Sequence, residues 1–249
     1  MPRQTRDDRS LFLGPRPTSN QISDCLSPNL TFPPDGSSMT AVSALPLIAW
    51  LLAASPDAAK VEFQASLSTP PAAVLAKVRA ASWRPGCPVS LDQLAYLRIR
   101  HHGYDGRVHE GELLAHQAIA QDLIASFRAL FMLGFPIEKM RLIDAYDGDD
   151  DASMADNNTS AFNCREVSGR KGVWSRHAFG MAVDINPLVN PYVVNDVVAP
   201  PKGAPYLSAP DPAVGPLRSG SLAVEVFLRQ GFTWGGHFQQ SKDYQHFQK

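Results

Sequence analysis

The stretch from Trp174 to Pro187 constrains this chain more than any other. Between Met181 and Asn186, strand periodicity sets Ala182, Asp184 and Asn186 on one face and Met181, Val183 and Ile185 on the other. Pro187 ends the strand, since proline has no N–H to give to a ladder. Asp184 is therefore expected to face a cleft while its apolar neighbours anchor the strand in a core. His177 stands seven residues earlier, and a neutral imidazole with a carboxylate suits Zn²⁺. A second histidine, His246, closes the segment Asp243-Tyr244-Gln245-His246, with a carboxylate three residues before it. His177, Asp184 and His246 as ligands, with Asp243 spare, make up the composition of a catalytic zinc centre: an open coordination position and a base. Residues three apart on a flat strand point to opposite faces, so Asp243 is expected to precede the last strand or sit at a bend.

Composition narrows the alternatives. With 249 residues and 44% hydrophobic content, the chain can bury one sizeable core with extensions. A formal net charge of −1 offers no electrostatic argument for nucleic acid or an anionic membrane surface. No stretch approaches ~18 uninterrupted apolar residues, so no membrane span is expected. Three cysteines are too few for a disulfide scaffold, and none lies in a Cys-x-x-Cys pair that would suggest thiolate zinc binding.

Residues 1–38 lack any run that could bury a face and read as a disordered or non-native extension, with Met39 as the preferred start. Residues 39–59 carry an apolar run of signal-peptide length, Val42 to Ala54, for which a short helix is the alternative. Residues 60–80 are expected to form a linker with a short helix over Ala72 to Ala81. The catalytic domain is expected over 81–249.

Within it, Ser90 and Gln93 form a capping-box pattern. Tyr96 to Arg100 reads as a half-buried strand, and Val108 to Glu112 as its hairpin partner. Glu112 to Leu133 shows helical spacing of apolar residues, closed by Gly134. His116 on it is read as a surface or boundary residue and not a ligand. Met140 to Tyr146 and Phe162 to Val167 read as strands, Asp147 to Asp151 as a solvated acidic loop, and 195–219 as a long loop near the site. Ser221 is the N-cap candidate of a helix ending at Gly231. Asn157-Asn158-Thr159 matches a glycosylation acceptor pattern.

Arg165, then Ser175-x-His177-x-x-Gly180-x-Ala182-x-Asp184, then Asp243-x-x-His246, form an ordered set that resembles the zinc D-alanyl-D-alanine carboxypeptidase family, related to the vancomycin-resistance dipeptidases and the hedgehog domain. The resemblance runs from about Ala81 to Phe247. It implies an α+β fold in which a small antiparallel sheet, packed with helices, carries the zinc site. It implies His177, Asp184 and His246 as metal ligands and Asp243 as general base and acid. It implies Arg165 as the group that steadies the oxyanion and contacts substrate, with Ser175 as a donor to the substrate's terminal carboxylate. His237 is expected at the cleft rim. The partner implied is a peptidoglycan stem peptide, cleaved by a monomer in the periplasm or outside the cell. An L-alanyl-D-glutamate endopeptidase and a non-catalytic zinc-containing wall-binding module remain alternatives. Cys87 and Cys164 fall inside the family-like region, so one disulfide and one stray thiol is the preferred reading, against two buried free cysteines.

Overall fold

Two apolar clusters share one antiparallel sheet in the computed structural model, which describes residues 62–208 and 211–249. The expectations for residues 1–38 and 39–59 lie outside these described residues. The sheet comprises β1 (Ala65–Ser68), β2 (Leu94–His102) and β3 (Val108–His116), in that order, with α1 (Ala72–Ala81) between the first two in sequence. Ala95, Leu97, Ile99, Leu113 and Ala115 face α2 (Gln117–Met132) and the main core. Leu94, Tyr96 and Leu114 face the other way, onto Val78 of α1, Val89, Phe162 and Cys164. Both faces are covered, so the strands carry consecutive apolar residues where a half-solvated strand would alternate.

This packing corrects the start of the long helix. Residues 112–116 complete β3, with His116 opposite Leu94, and the helix begins at Gln117. Period-two burial at Leu113, Leu114 and Ala115 on alternating faces outweighs the helical spacing that begins in the same residues. His116 caps the helix, its Nδ1 accepting from Ala118 N at 3.1 Å. Gly134 follows the C-terminus in the left-handed region (φ +66°).

Downstream, β4 (Lys139–Met140) pairs in parallel with β5 (Asn158–Thr159), and α3 (Asp150–Ala155) lies between them in sequence. The strand expected over Met140 to Tyr146 is therefore cut short. Ile143–Tyr146 turns into a 3-10 helix that buries Ile143 and sends Asp144 to accept from Ser82 Oγ at 2.8 Å. The acidic run is the start of α3, with Asp149 capping Ala152 N. Asn157, Asn158 and Thr159 are all buried, and Asn157 Nδ2 donates to Glu138 Oε2 at 2.7 Å, so the glycosylation pattern is closed to modification in the folded protein.

The C-terminal part comprises β6 (Ala182–Asp184), β7 (Tyr192–Val194), β8 (Val197–Ala199), α4 (Leu222–Arg229), β9 (Thr233–Trp234), β10 (Lys242–Asp243) and β11 (His246–Gln248). One three-stranded sheet runs β6-β11-β9 and another β10-β7-β8, all pairs antiparallel. The expected loop over 195–219 contains β8 and two 3-10 turns. Ser221 caps α4 by accepting from Val224 N. Phe247 stacks on Phe227 of α4, with ring centroids 4.2 Å apart, and anchors β11 in the core. The fold is α+β. Cys87 and Cys164 are joined, tying the segment before β2 to the one before the metal stretch. Among the described residues no helix is long and apolar enough to cross a membrane.

Candidate metal centre

Strand register builds half of the site. β11 and β6 pair with His246 opposite Asp184 and Phe247 opposite Val183. Directly opposed residues share a face, so the two polar side chains meet on one side while Val183 and Phe247, both fully buried, enter the core on the other. His177 comes from a 3-10 turn, Arg176–Phe179, whose N-cap Ser175 accepts from His177 N at 3.3 Å. Gly180 ends the turn at φ +67°, where a Cβ would stand 2.7 Å from His116 N. Glycine is required there both for the left-handed conformation and for the close approach to the start of α2.

The three side chains converge. His177 Nε2 lies 3.0 Å from Asp184 Oδ2, His246 Nδ1 lies 3.0 Å from Asp184 Oδ1, and the two ring nitrogens are 3.1 Å apart. All three residues are buried, and among the described residues they are the one group whose geometry could hold a metal ion. Each imidazole is oriented from behind: His177 Nδ1 donates to Ala161 O at 2.5 Å, and His246 Nε2 to Gln248 Oε1 at 3.0 Å. In the neutral rings these bonds leave Nε2 of His177 and Nδ1 of His246 as bare lone pairs, aimed at each other and at carboxylate oxygens. Lone pairs converging without a hydrogen between them require a cation or a proton, so the donor set fits Zn²⁺. The electrostatics agree. Burial opposes the charge on Asp184, yet His177 and His246 outweigh it and hold the carboxyl well below its usual range. When a proton takes the place of that cation on His246 Nδ1, burial opposes the charge, but the Asp184 carboxylate, which then accepts from Nδ1, aided by Asp243, raises the pKa to about 9.

Asp243 is not on the strand that carries His246. It lies on β10, paired with Tyr192 of β7, and the chain bends through Tyr244 and Gln245 before β11. Its Oδ1 is enclosed without a hydrogen-bond partner. Burial raises its pKa to about 6, with the Asp184 charge adding to the shift and His246, His177 and Arg165 opposing it. Gly235 makes room for it: a Cβ at that position would lie 2.5 Å from Asp243 O and 2.7 Å from its Cβ.

The segment before the metal turn was expected as a strand from Phe162 to Val167. It makes isolated contacts instead of a ladder, and a tight turn at Cys164, where Arg165 N donates to Asn163 O at 2.9 Å, interrupts it. Ser160 bridges Asp184, Asn163 N donates to His177 O, and Glu166 bridges Trp174. This path delivers Ala161 O to His177 and Arg165 to the cleft. Arg165 Nη2 pairs with Asp150 Oδ2 at 2.8 Å, while its Nε is enclosed without an acceptor.

These groups line one cleft of about 850 Å³, within the usual range for a small-molecule or peptide site. Arg165, Ser175, His177, Asp184, Asp243 and His246 all border it. So does His237, edge-on to Trp234. Tyr192, Val194 and Val197 from the β7–β8 hairpin form one wall. The sequence marks neither Gln248 nor Asp150, the latter inside the acidic run expected as a solvated loop, as a site residue. Gln248 could have been found, because it follows His246 by two and so shares its strand face. Asp150 could not, because nothing in an acidic run marks which carboxylate meets a distant arginine.

Residues 168–249 match the model of the D-alanyl-D-alanine carboxypeptidase family, a family of zinc peptidases. The match takes in Ser175, His177, Asp184, Asp243 and His246, and begins after Arg165. No curated protein and no solved structure gives a significant match.

Proposed function

We propose, for a chain whose residues 168–249 match the D-alanyl-D-alanine carboxypeptidase family model, that it hydrolyses the terminal D-Ala-D-Ala bond of peptidoglycan stem peptides with one Zn²⁺ held by His177, Asp184 and His246. The observation that carries this reading is the convergence of those three side chains at a cleft that also holds a buried, unpartnered carboxylate. Zinc supplies Lewis acidity, which polarises a carbonyl and makes water a nucleophile near neutral pH.

The chain's own groups supply the rest. Asp243 takes a proton from the attacking water and returns it to the leaving nitrogen. A carboxyl with a pKa near 6 is a better match to that exchange at neutral pH than an ordinary aspartate. Arg165 stands ready to neutralise the oxyanion; its guanidinium is held by Asp150 and needs no reorganisation as charge develops. Ser175 Oγ already accepts from His177 N, which leaves its hydroxyl proton for the substrate's terminal carboxylate. The half-buried β7–β8 wall limits the cleft on the side of Tyr192.

Digesting stem pentapeptides with zinc-loaded protein and weighing the products tests the reading. Free D-Ala is expected, and amidating the terminal carboxylate should slow its release by ~10-fold or more, as an unfilled donor to that group predicts. Fragments cut after L-Ala without free D-Ala would indicate an L-alanyl-D-glutamate endopeptidase. Binding to wall fragments without any cleavage would indicate a non-catalytic module. The apolar run over 39–59 supports export to the periplasm or beyond, where the Cys87–Cys164 pair would persist.

A further inference from the structure

We infer that Asp150, at the first position of α3, is the positioning residue for Arg165 and sets how often its guanidinium is poised over the reacting carbonyl. The inference rests on the oxyanion role given to Arg165 above. The backbone at Arg165 is firmly held. Its neighbour Cys164 is bonded to Cys87 and accepts from Arg84 Nη1 at 2.9 Å, and Arg165 O accepts from Ser175 N at 3.1 Å. None of these contacts reaches the guanidinium, which lies at the end of a flexible stem.

Among the described residues, the ion pair with Asp150 is the contact that fixes it. The carboxylate doing the fixing is itself held. Asp150 begins a helix capped by Asp149, and its Oδ1 is 3.4 Å from Nδ2 of buried Asn163, whose amide also reaches Gly148 O. The chain thus returns on itself two residues before Arg165 to brace Asp150. Both members of the ion pair border the cleft.

Two effects of Asp150 on catalysis oppose each other. Its charge offsets part of the guanidinium's pull on an oxyanion, while its hydrogen bond removes the guanidinium's rotamer freedom. The pair is about a quarter exposed (29% and 24%), so solvent screens the charge effect. Conformational freedom is not screened. An arginine released into roughly ten rotamers occupies the productive one about a tenth of the time. Positioning therefore wins, and losing Asp150 lowers kcat.

The test uses zinc-loaded full-length protein carrying Asp150→Ala, Asp150→Asn, Arg165→Ala and the double variant Asp150→Ala with Arg165→Ala. Asp150→Ala, which removes the acceptor, should lower kcat ~10-fold with KM and zinc content unchanged, whereas Asp150→Asn, which keeps an oxygen acceptor, should recover part of the loss. In the Arg165→Ala background Asp150→Ala should cost nothing further. A second readout needs no substrate: the Nε–H resonance of Arg165, identified by its absence in Arg165→Ala. Enclosure should make it exchange slowly with water, and Asp150→Ala should speed that exchange at least tenfold. An equal kcat loss in both arginine backgrounds, or an unaltered Nε–H exchange rate, would overturn the inference. If the protein cleaves no D-Ala-terminated peptide, the functional reading fails while the Nε–H exchange still decides the role of Asp150.

Discussion

Replacing Asp243 with asparagine should slow hydrolysis ~10²-fold or more and yet stabilise the metal-free protein at pH 8. The wild-type carboxyl is moved from 3.8 to about 6, chiefly by burial, and its Oδ1 has no partner. A folded-state pKa above the unfolded one means that the native state binds the proton more tightly. Stability is therefore lost as pH rises, beginning near the unfolded value of about 4 and complete above about 6. At 1.36 kcal/mol per pH unit the full penalty is about 3 kcal/mol. Solvent on the outer side of this half-buried residue brings it to roughly 2 kcal/mol. Asparagine resembles the protonated acid and cannot ionise, so it carries none of this pH-dependent cost. Urea unfolding in EDTA at pH 4 and pH 8 measures the effect; the variant-minus-wild-type difference cancels the titrating groups that Asp243 does not touch, and its attraction to His246 is already among the causes of its own shift. The two proteins should be nearly equal at pH 4, with the variant about 2 kcal/mol more stable at pH 8. With zinc restored, the variant should bind about one ion per chain and hydrolyse substrate ~10²-fold or more slowly. A variant that is equally or less stable than wild type at pH 8 would show that the carboxylate is not held under strain, and the argument for its raised basicity would fall.

His177→Ala or His246→Ala should each abolish stoichiometric zinc by elemental analysis, whereas Gln248→Leu should retain the ion with affinity lowered ~10–100-fold, since it removes only the acceptor behind His246. Gly235→Ala forces a Cβ to within 2.5 Å of Asp243 O, so β10 must move; activity should fall at least tenfold with zinc content intact, as measured by parallel assays of both. Replacing Cys87 and Cys164 with serine opens a bridge spanning 77 residues and should cost roughly 2–5 kcal/mol in denaturant unfolding; an unchanged midpoint would refute a stabilising role.

Side-chain chemistry and local periodicity were readable from the chain alone. The alternation around Asp184, the proline that stops it, and the histidine and carboxylate spacings specify which atoms can meet a metal, because strand faces and ligand types are local properties. The same is true of helix α4, whose cap Ser221 and closing Gly231 lie within a few residues of its ends. Elements decided by distant contacts were not legible. Residues 112–116 follow helical spacing, yet they complete β3 because β2 lies ready to pair with them and both faces of that sheet are covered. Met140 to Tyr146 reads as a strand but has no neighbour to pair with beyond Met140, so it turns. The acidic run at 147–151 gave no sign that one of its carboxylates braces Arg165, since that contact joins residues brought together only when the disulfide-tethered segment folds past α3. Nor could the chain show that Asp184 and His246 stand directly opposite each other. A shift of one residue in the β6–β11 register would send His246 to the core face, and that register is set by Phe247 packing against Phe227 and Trp234, contacts that exist only in the assembled core.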